Sequence, residues 1–217
     1  MNKLITILFI LVLIFDTQAA MLELGRLKYG GGGDWYNDPE VLPNLARELV
    51  RRTGMDVSVT ERVIELSDPE LFSFPFLYMT GHGNVRFEPN EAERLRKYLE
   101  RGGFLYVDDD YGMDQHFRNA LGQVFPGLEM LPISPDHLIY RIFYRLDGPG
   151  KVHEHDGKPP TGYGIFHKGR MVIFYTHESN ISDGWADPAT HGDPAEVRET
   201  SFRMGVNIVL YAILGAE

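Results

Sequence analysis

Cysteine is absent from all 217 residues. That removes a thiol nucleophile, a thiolate metal ligand and any disulfide, so an ordinary hydrophobic core must hold the chain, which this length supplies in one domain. No serine stands in a Gly-x-Ser-x-Gly elbow and no His-Glu-x-x-His helix occurs. Acyl transfer of the α/β-hydrolase type is therefore unsupported, and a zinc-protease reading is weak. Basic clusters are missing too: 21 Lys and Arg against 31 Asp and Glu leave a formal charge of −10. A surface of that sign repels phosphate backbones and anionic lipid, which argues against nucleic acid as a partner.

Long apolar runs are scarce. The one near the start, Leu4 to Phe15, follows Lys3 and precedes the small-residue stretch Thr17-Gln18-Ala19. It is too short for a hydrocarbon core of about 30 Å, so residues 1–20 read as a cleaved secretory signal with no stable membrane span afterwards. The expectation is a secreted or periplasmic protein, or one tethered by an uncleaved signal, with residues 21–217 forming a single domain.

The rest alternates strand and helix signals. Leu22 to Tyr29 reads as a strand closed by Gly30-Gly31-Gly32-Gly33-Asp34-Trp35-Tyr36. Asp38 and Pro39 then open a helix, with Leu42, Leu45, Ala46, Leu49 and Val50 on one stripe and Gly54 as its stop. Val57 to Leu66 and Phe76 to Thr80 read as extended; Pro89 starts a helix ended by Gly102; Phe104 to Val107 is a strand buried on both faces; Met113 to Leu121 is a short helix. Leu138 to Leu146 reads as extended, and Asp147 to Pro160 as a surface loop. Gly162 to His167 and Arg170 to Thr176 form a hairpin turning at Lys168-Gly169, and Asp193-Pro194-Ala195-Glu196 caps a last helix running to Leu214. Strands alternating with helices imply an α/β fold with a mostly parallel central sheet.

Ligands of such sheets bind beyond the carboxyl ends of the strands, so polar groups at the ends of apolar strands are the candidates. Asp108, Asp109 and Asp110 follow Phe104 to Val107; Gly81, His82 and Gly83 follow Phe76 to Thr80; His177 follows the hairpin's second strand. Adjacent carboxylates raise one another's pKa or recruit a cation, and an imidazole between glycines can bind metal or move protons. Asp108, nearest the strand, is the first choice as a functional acid. Gly31 and Gly32 suit close backbone approach, without the Lys-Ser/Thr of a phosphate loop. Trp35, Tyr36, Tyr111 and Trp185 lie in expected loops, where rings stack on a ligand or, more often, pack over a sheet edge.

Several segments carry a resemblance. Tyr78-Met79-Thr80-Gly81-His82-Gly83, the run Leu99 to Asp109 with Gly102-Gly103, Gly169-Arg170 leading to Tyr175-Thr176-His177, and Met204-Gly205-Val206-Asn207-Ile208 resemble the bacterial domain-of-unknown-function family 4159 over nearly the whole mature chain. That family is similar to the class I glutamine amidotransferase-like superfamily and its trehalose-utilisation branch. The resemblance implies a flavodoxin-like three-layer sandwich with its pocket at the carboxyl edge. It sets Asp108 where the superfamily carries a cysteine nucleophile, which implies loss of glutaminase activity, and aligns His177 with the superfamily's histidine by strand order.

The expected site thus has Asp108, His82 and His177 as catalytic candidates, and Gly31, Gly32, Asp34, Trp35, Gly81, Gly83, Asp109, Asp110 and Tyr111 as ligand-binding ones. The leading expectation is a degenerate-site domain binding a small polar, carbohydrate-like ligand. The alternatives are an Asp/His hydrolase, with or without a divalent metal, and a cell-envelope partner-docking module.

Overall fold

The computed structural model describes residues 21–215; the leader expected over residues 1–20 lies outside them. Seven strands form one sheet: β1 (Gly25–Lys28), β2 (Arg62–Glu65), β3 (Phe76–His82), β4 (Phe104–Tyr111), β5 (Leu131–Pro132), β6 (Thr161–His167) and β7 (Arg170–His177). Their order is β2-β1-β3-β4-β7-β6-β5. The first five in that order run parallel, and β6 and β5 add to the β7 edge antiparallel.

The helices are α1 (Val41–Thr53), α2 (Pro89–Glu100), α3 (Asp114–Val124), the single turn α4 (Pro188–His191) and α5 (Ala195–Leu214). The pleat of β4 decides what each long helix covers. Phe104 and Tyr106 face the layer of α1 and α5, whereas Leu105 and Val107 face α2 and α3. All four side chains are fully buried, and each contributes about 1.5–3 kcal/mol by leaving water. Two such layers on one sheet make a core sufficient without a covalent cross-link.

Because α1 leaves β1 towards one face and α2 leaves β3 towards the other, the chain opens a crevice beyond the carboxyl ends of these adjacent strands. Both neighbouring strands reach farther than the apolar pattern indicates. β3 continues to His82 and β4 to Tyr111, so the polar residues expected in loops lie in the sheet. Gly81 pairs with Asp109 and His82 with Tyr111, which leaves Asp110 as the extra residue of a bulge. Such a bulge re-aims a side chain at the strand end.

Other expectations need correction. Leu22 and Val57 meet only as an isolated bridge outside the short strands β1 and β2. Leu138 to Leu146 is not extended: Leu138–Tyr140 is a 3-10 turn, and the Asn207 side chain takes the part of a strand partner by bonding both the N–H and the carbonyl of Tyr144 at 2.8 Å. Neither expected aspartate caps its helix. Glu40 precedes α1, with Asp38 held at a φ of 45°, and Pro194 precedes α5. Among the described residues no helix is long and apolar enough to cross a membrane.

Candidate functional site

Two loops meet at the crevice. The Gly33 N–H donates to the Asn84 carbonyl at 3.0 Å, and the Arg86 N–H to the Gly30 carbonyl at 2.8 Å. A Cβ on Gly31 would stand 2.9 Å from the Arg86 nitrogen, so the glycine run is shaped for its own chain. The contact sets Asp34 beneath His82. At Gly81, whose φ is 143°, an added Cβ would collide with the Tyr29 hydroxyl, and only glycine fits.

His82 is held from below by two acids. Its N–H donates to Asp34 Oδ1, and its Nδ1 lies 2.9 Å from Asp34 Oδ2 and 3.3 Å from Asp110 Oδ2. Partial burial pulls its pKa down, but Asp110 and Asp34 outweigh that and hold it above the ordinary histidine value. Burial pushes Asp110 up to about 7, with the charge of Asp183 adding to it and His82 opposing it. The Asp110 carboxylate also accepts from Asn37 Nδ2 and from Asn180 Nδ2.

Three further side chains come from connecting segments. His153 Nδ1 lies 2.8 Å from Asp183 Oδ2, and its Nε2 lies 3.0 Å from Asp193 Oδ1. His191 Nε2 lies 2.8 Å from Asp38 Oδ2. Hydrogen bonding to Asp183 raises the His153 pKa to about 9 against the effect of burial. One ligand atom each from His153, Asp183 and His191 lie within 4.8 Å of one another, a spacing that could hold a metal ion. Together with Asn37, His82, Asp110, Tyr111, Glu154, His155 and Asn180 these residues line a hollow of about 550 Å³.

Arg26 fixes one wall. Buried to 1 % exposure, it donates to the carbonyls of Asn37 at 2.8 Å and Asp38 at 3.0 Å while pairing with Glu61 at 3.0 Å. Asn180 fixes the opposite wall, its amide donating to the Asp110 backbone oxygen at 2.8 Å and to Asp183 Oδ2 at 3.0 Å.

A family model described as Domain of unknown function (DUF4159) matches residues 23–213, a span that carries every residue of the hollow. The chain belongs to DUF4159. Comparison with the curated proteins finds no match.

Within this DUF4159 domain the expected site residues divide into two sets. His82, Asp110 and Tyr111 line the hollow; Asp34 and Gly81 support His82 from below; Gly83 and Gly32 sit at left-handed φ values of 74° and 93° with open space around them. Asp108 is not brought to the hollow's wall. It is fully buried on the α5 face, where Ser182 donates through N–H and hydroxyl, both at 2.7 Å, and the Thr176 hydroxyl donates to the other oxygen. Asp109 and His177 lie on the α3 face, 3.6 Å apart; Asp109 also accepts from the Met113 N–H at 2.9 Å and the Tyr175 hydroxyl at 3.2 Å. Trp35 packs partly buried against the α2 and α3 layer, and Trp185 is fully buried between Tyr78 and Tyr106. Both therefore pack, whereas Tyr111 keeps half its surface exposed, 4.7 Å from the His155 ring.

His153, His191, Asp183, Asp38 and Asp193 were not expected in the site. For the first three and Asp193 the sequence carries one usable signal, the excess of His and Asp in the turn-rich stretches 147–160 and 183–194; Asp38 lies outside both and carries none.

Proposed function

We propose that this chain binds a small, uncharged, hydroxyl-bearing ligand in the hollow and hydrolyses it, with His82 and Asp110 moving the proton. The observation that carries the reading is the His82 imidazole, fixed at Nδ1 by Asp34 and Asp110 on the rim of a polar hollow. An imidazole oriented by a carboxylate can take a proton from water through its other nitrogen, and among the described residues no group bonds His82 Nε2. A carboxyl with a pKa near 7 beside it can hold and return that proton near neutrality. The carboxylates and amides of the wall suit hydroxyl groups and disfavour anions.

The order of the five parallel strands, β2-β1-β3-β4-β7, supports a flavodoxin-like reading and, with it, a likeness to the class I glutamine amidotransferase-like superfamily. On that reading the buried Asp108 occupies the strand position of the cysteine nucleophile, in keeping with lost thioester chemistry. Export through the leader at residues 1–20 belongs to the same proposal.

A binding-only reading is favoured by the exposed Tyr111 ring, which offers a face to a sugar. The docking reading has its own location, a hollow of about 650 Å³ at the opposite end of the sheet, where Met21, Leu22, Met55, Pro75 and Ile213 stand beside Glu23, Asp56 and Ser73.

The test pairs thermal shift with turnover on a panel of glycosides, esters and amides. Turnover that falls about 10²–10⁴-fold in both His82→Ala and Asp110→Asn, with the fold intact, supports hydrolysis. Ligand-induced stabilisation without turnover withdraws hydrolysis and leaves binding. Neither effect at millimolar concentration withdraws both.

A further inference from the structure

We propose that His153, Asp183 and His191 bind one divalent ion of borderline hardness, zinc or a neighbouring first-row transition ion. Ligands about 2.0–2.2 Å from an ion stand no more than about 4.4 Å from one another. The three donor atoms already lie within 4.8 Å of one another, so small side-chain rotations complete the set: the His153 Nδ1–Asp183 Oδ2 contact of 2.8 Å opens as the ion replaces the shared proton, and the wider separations close. Asp193 bonds the far nitrogen of His153 and Asp38 stands against the His191 ring, the carboxylate–imidazole pairing that orients and strengthens metal-bound histidine.

Two observations point to a cation independently of that spacing. First, Asp34, Asp38, Asp110, Asp183 and Asp193 crowd this region, yet among the described residues none pairs with Lys or Arg; their ionic partners are histidines alone. Second, the Asn180 side chain lines the hollow with its residue 98 % buried; its Nδ2 reaches three acceptors, while its Oδ1 has no partner. Three acceptors around Nδ2, which has two hydrogens to share among them, fix which atom is oxygen, so an unpaired acceptor lies in the wall of the hollow, where water held by an ion would meet it.

A second histidine–carboxylate group shows the contrast. Asp109, Asp114 and His177 are equally close, but Asp114 already accepts from Arg118 at 2.8 Å and from the Tyr175 hydroxyl at 2.9 Å. The guanidinium supplies there a permanent positive charge, whereas in the hollow the aspartates meet only imidazoles, which can give up their protons to an ion. Two imidazoles and one carboxylate, with no sulfur, select zinc-like ions over magnesium and calcium, which prefer oxygen ligands. Three protein ligands leave a coordination position open to the hollow.

The site shares the hollow of the proposed hydrolase without depending on that activity. The test strips the purified chain with a chelator and titrates it calorimetrically with zinc chloride alone, then with magnesium chloride. Expected are one zinc per chain at micromolar or tighter affinity, little heat from magnesium, and a loss of at least about 100-fold in His191→Ala, whose side chain belongs to neither apolar layer, with an unchanged unfolding midpoint of the stripped variant showing that the fold is intact. His153→Ala should lose as much, and His177→Ala should bind as the parent does. Absence of zinc binding, equal affinity for magnesium, or unchanged affinity in His191→Ala overturns the assignment. Zinc binding without turnover removes only the hydrolase.

Discussion

Asp108, Asp109 and Asp110 are consecutive, and the pleat sends them to three surroundings: the α5 face, the α3 face and, through the bulge, the hollow. The sequence marks all three as one polar strand end, and nearness to the strand, which put Asp108 first, does not order them, because alternation and bulge are properties of pairing with β3. Asp108 illustrates what burial then does. Removal from water raises its pKa from 3.8 to about 6, with the bonds from Thr176 and Ser182 opposing the rise. A carboxyl raised in the folded state contributes stability that is present in full below its unfolded pKa and is lost as pH rises through about 6. Asp108→Asn, which stays neutral, should therefore gain on the parent as pH goes from about 5 to about 8, read from urea midpoints. Asp108→Ala, which leaves the Ser182 and Thr176 donors unpaired, should cost about 1–3 kcal/mol. A parallel pH dependence in the asparagine variant and the parent would refute this account.

At the scale of elements, the long apolar stripes were legible: α2, α3, α5 and the β6–β7 hairpin fall close to where periodicity sets them. Pro89 opens α2 as its sequence indicates, but the sequence misplaces the caps of α1 and α5. Asp38 and Asp193 have the spacing of N-caps, but their carboxylates pair with His191 and His153, 153 and 40 positions away. Local rules see only near neighbours, so the acids that complete the hollow read as caps. Arg26 escaped notice for a related reason: β1 carries two cations, Arg26 and Lys28, and only the fold shows that the first is buried and the second exposed. Its guanidinium holds the 37–38 segment and balances Glu61, so Arg26→Ala should lower stability by about 3–5 kcal/mol, most of it from the charge and carbonyls left behind. Thermal unfolding checks this, and a loss below about 1 kcal/mol would show the loop to be held by other contacts.

For the whole molecule, the sheet is covered by helices on both faces at β3, β4 and β7, whereas β5 is a two-residue edge with both residues exposed. Backbone amide exchange should be slowest in β3, β4 and β7 and fastest around β5, with the 147–160 segment exchanging early. Equal protection across the sheet would contradict the layered description. The parallel core could be anticipated from the sequence because strand and helix signals alternate. The hollow could not, since it assembles from positions between 34 and 193 that only the finished topology brings together.

Most of the hollow's polar groups hang from connecting segments, while the two apolar layers lie wholly behind them. Mutational drift in those segments can exchange one set of donors for another without reopening either layer. Descendants of a common ancestor can therefore keep this scaffold while diverging in what they recognise, and comparing the 147–160 and 183–194 stretches among them would trace that divergence.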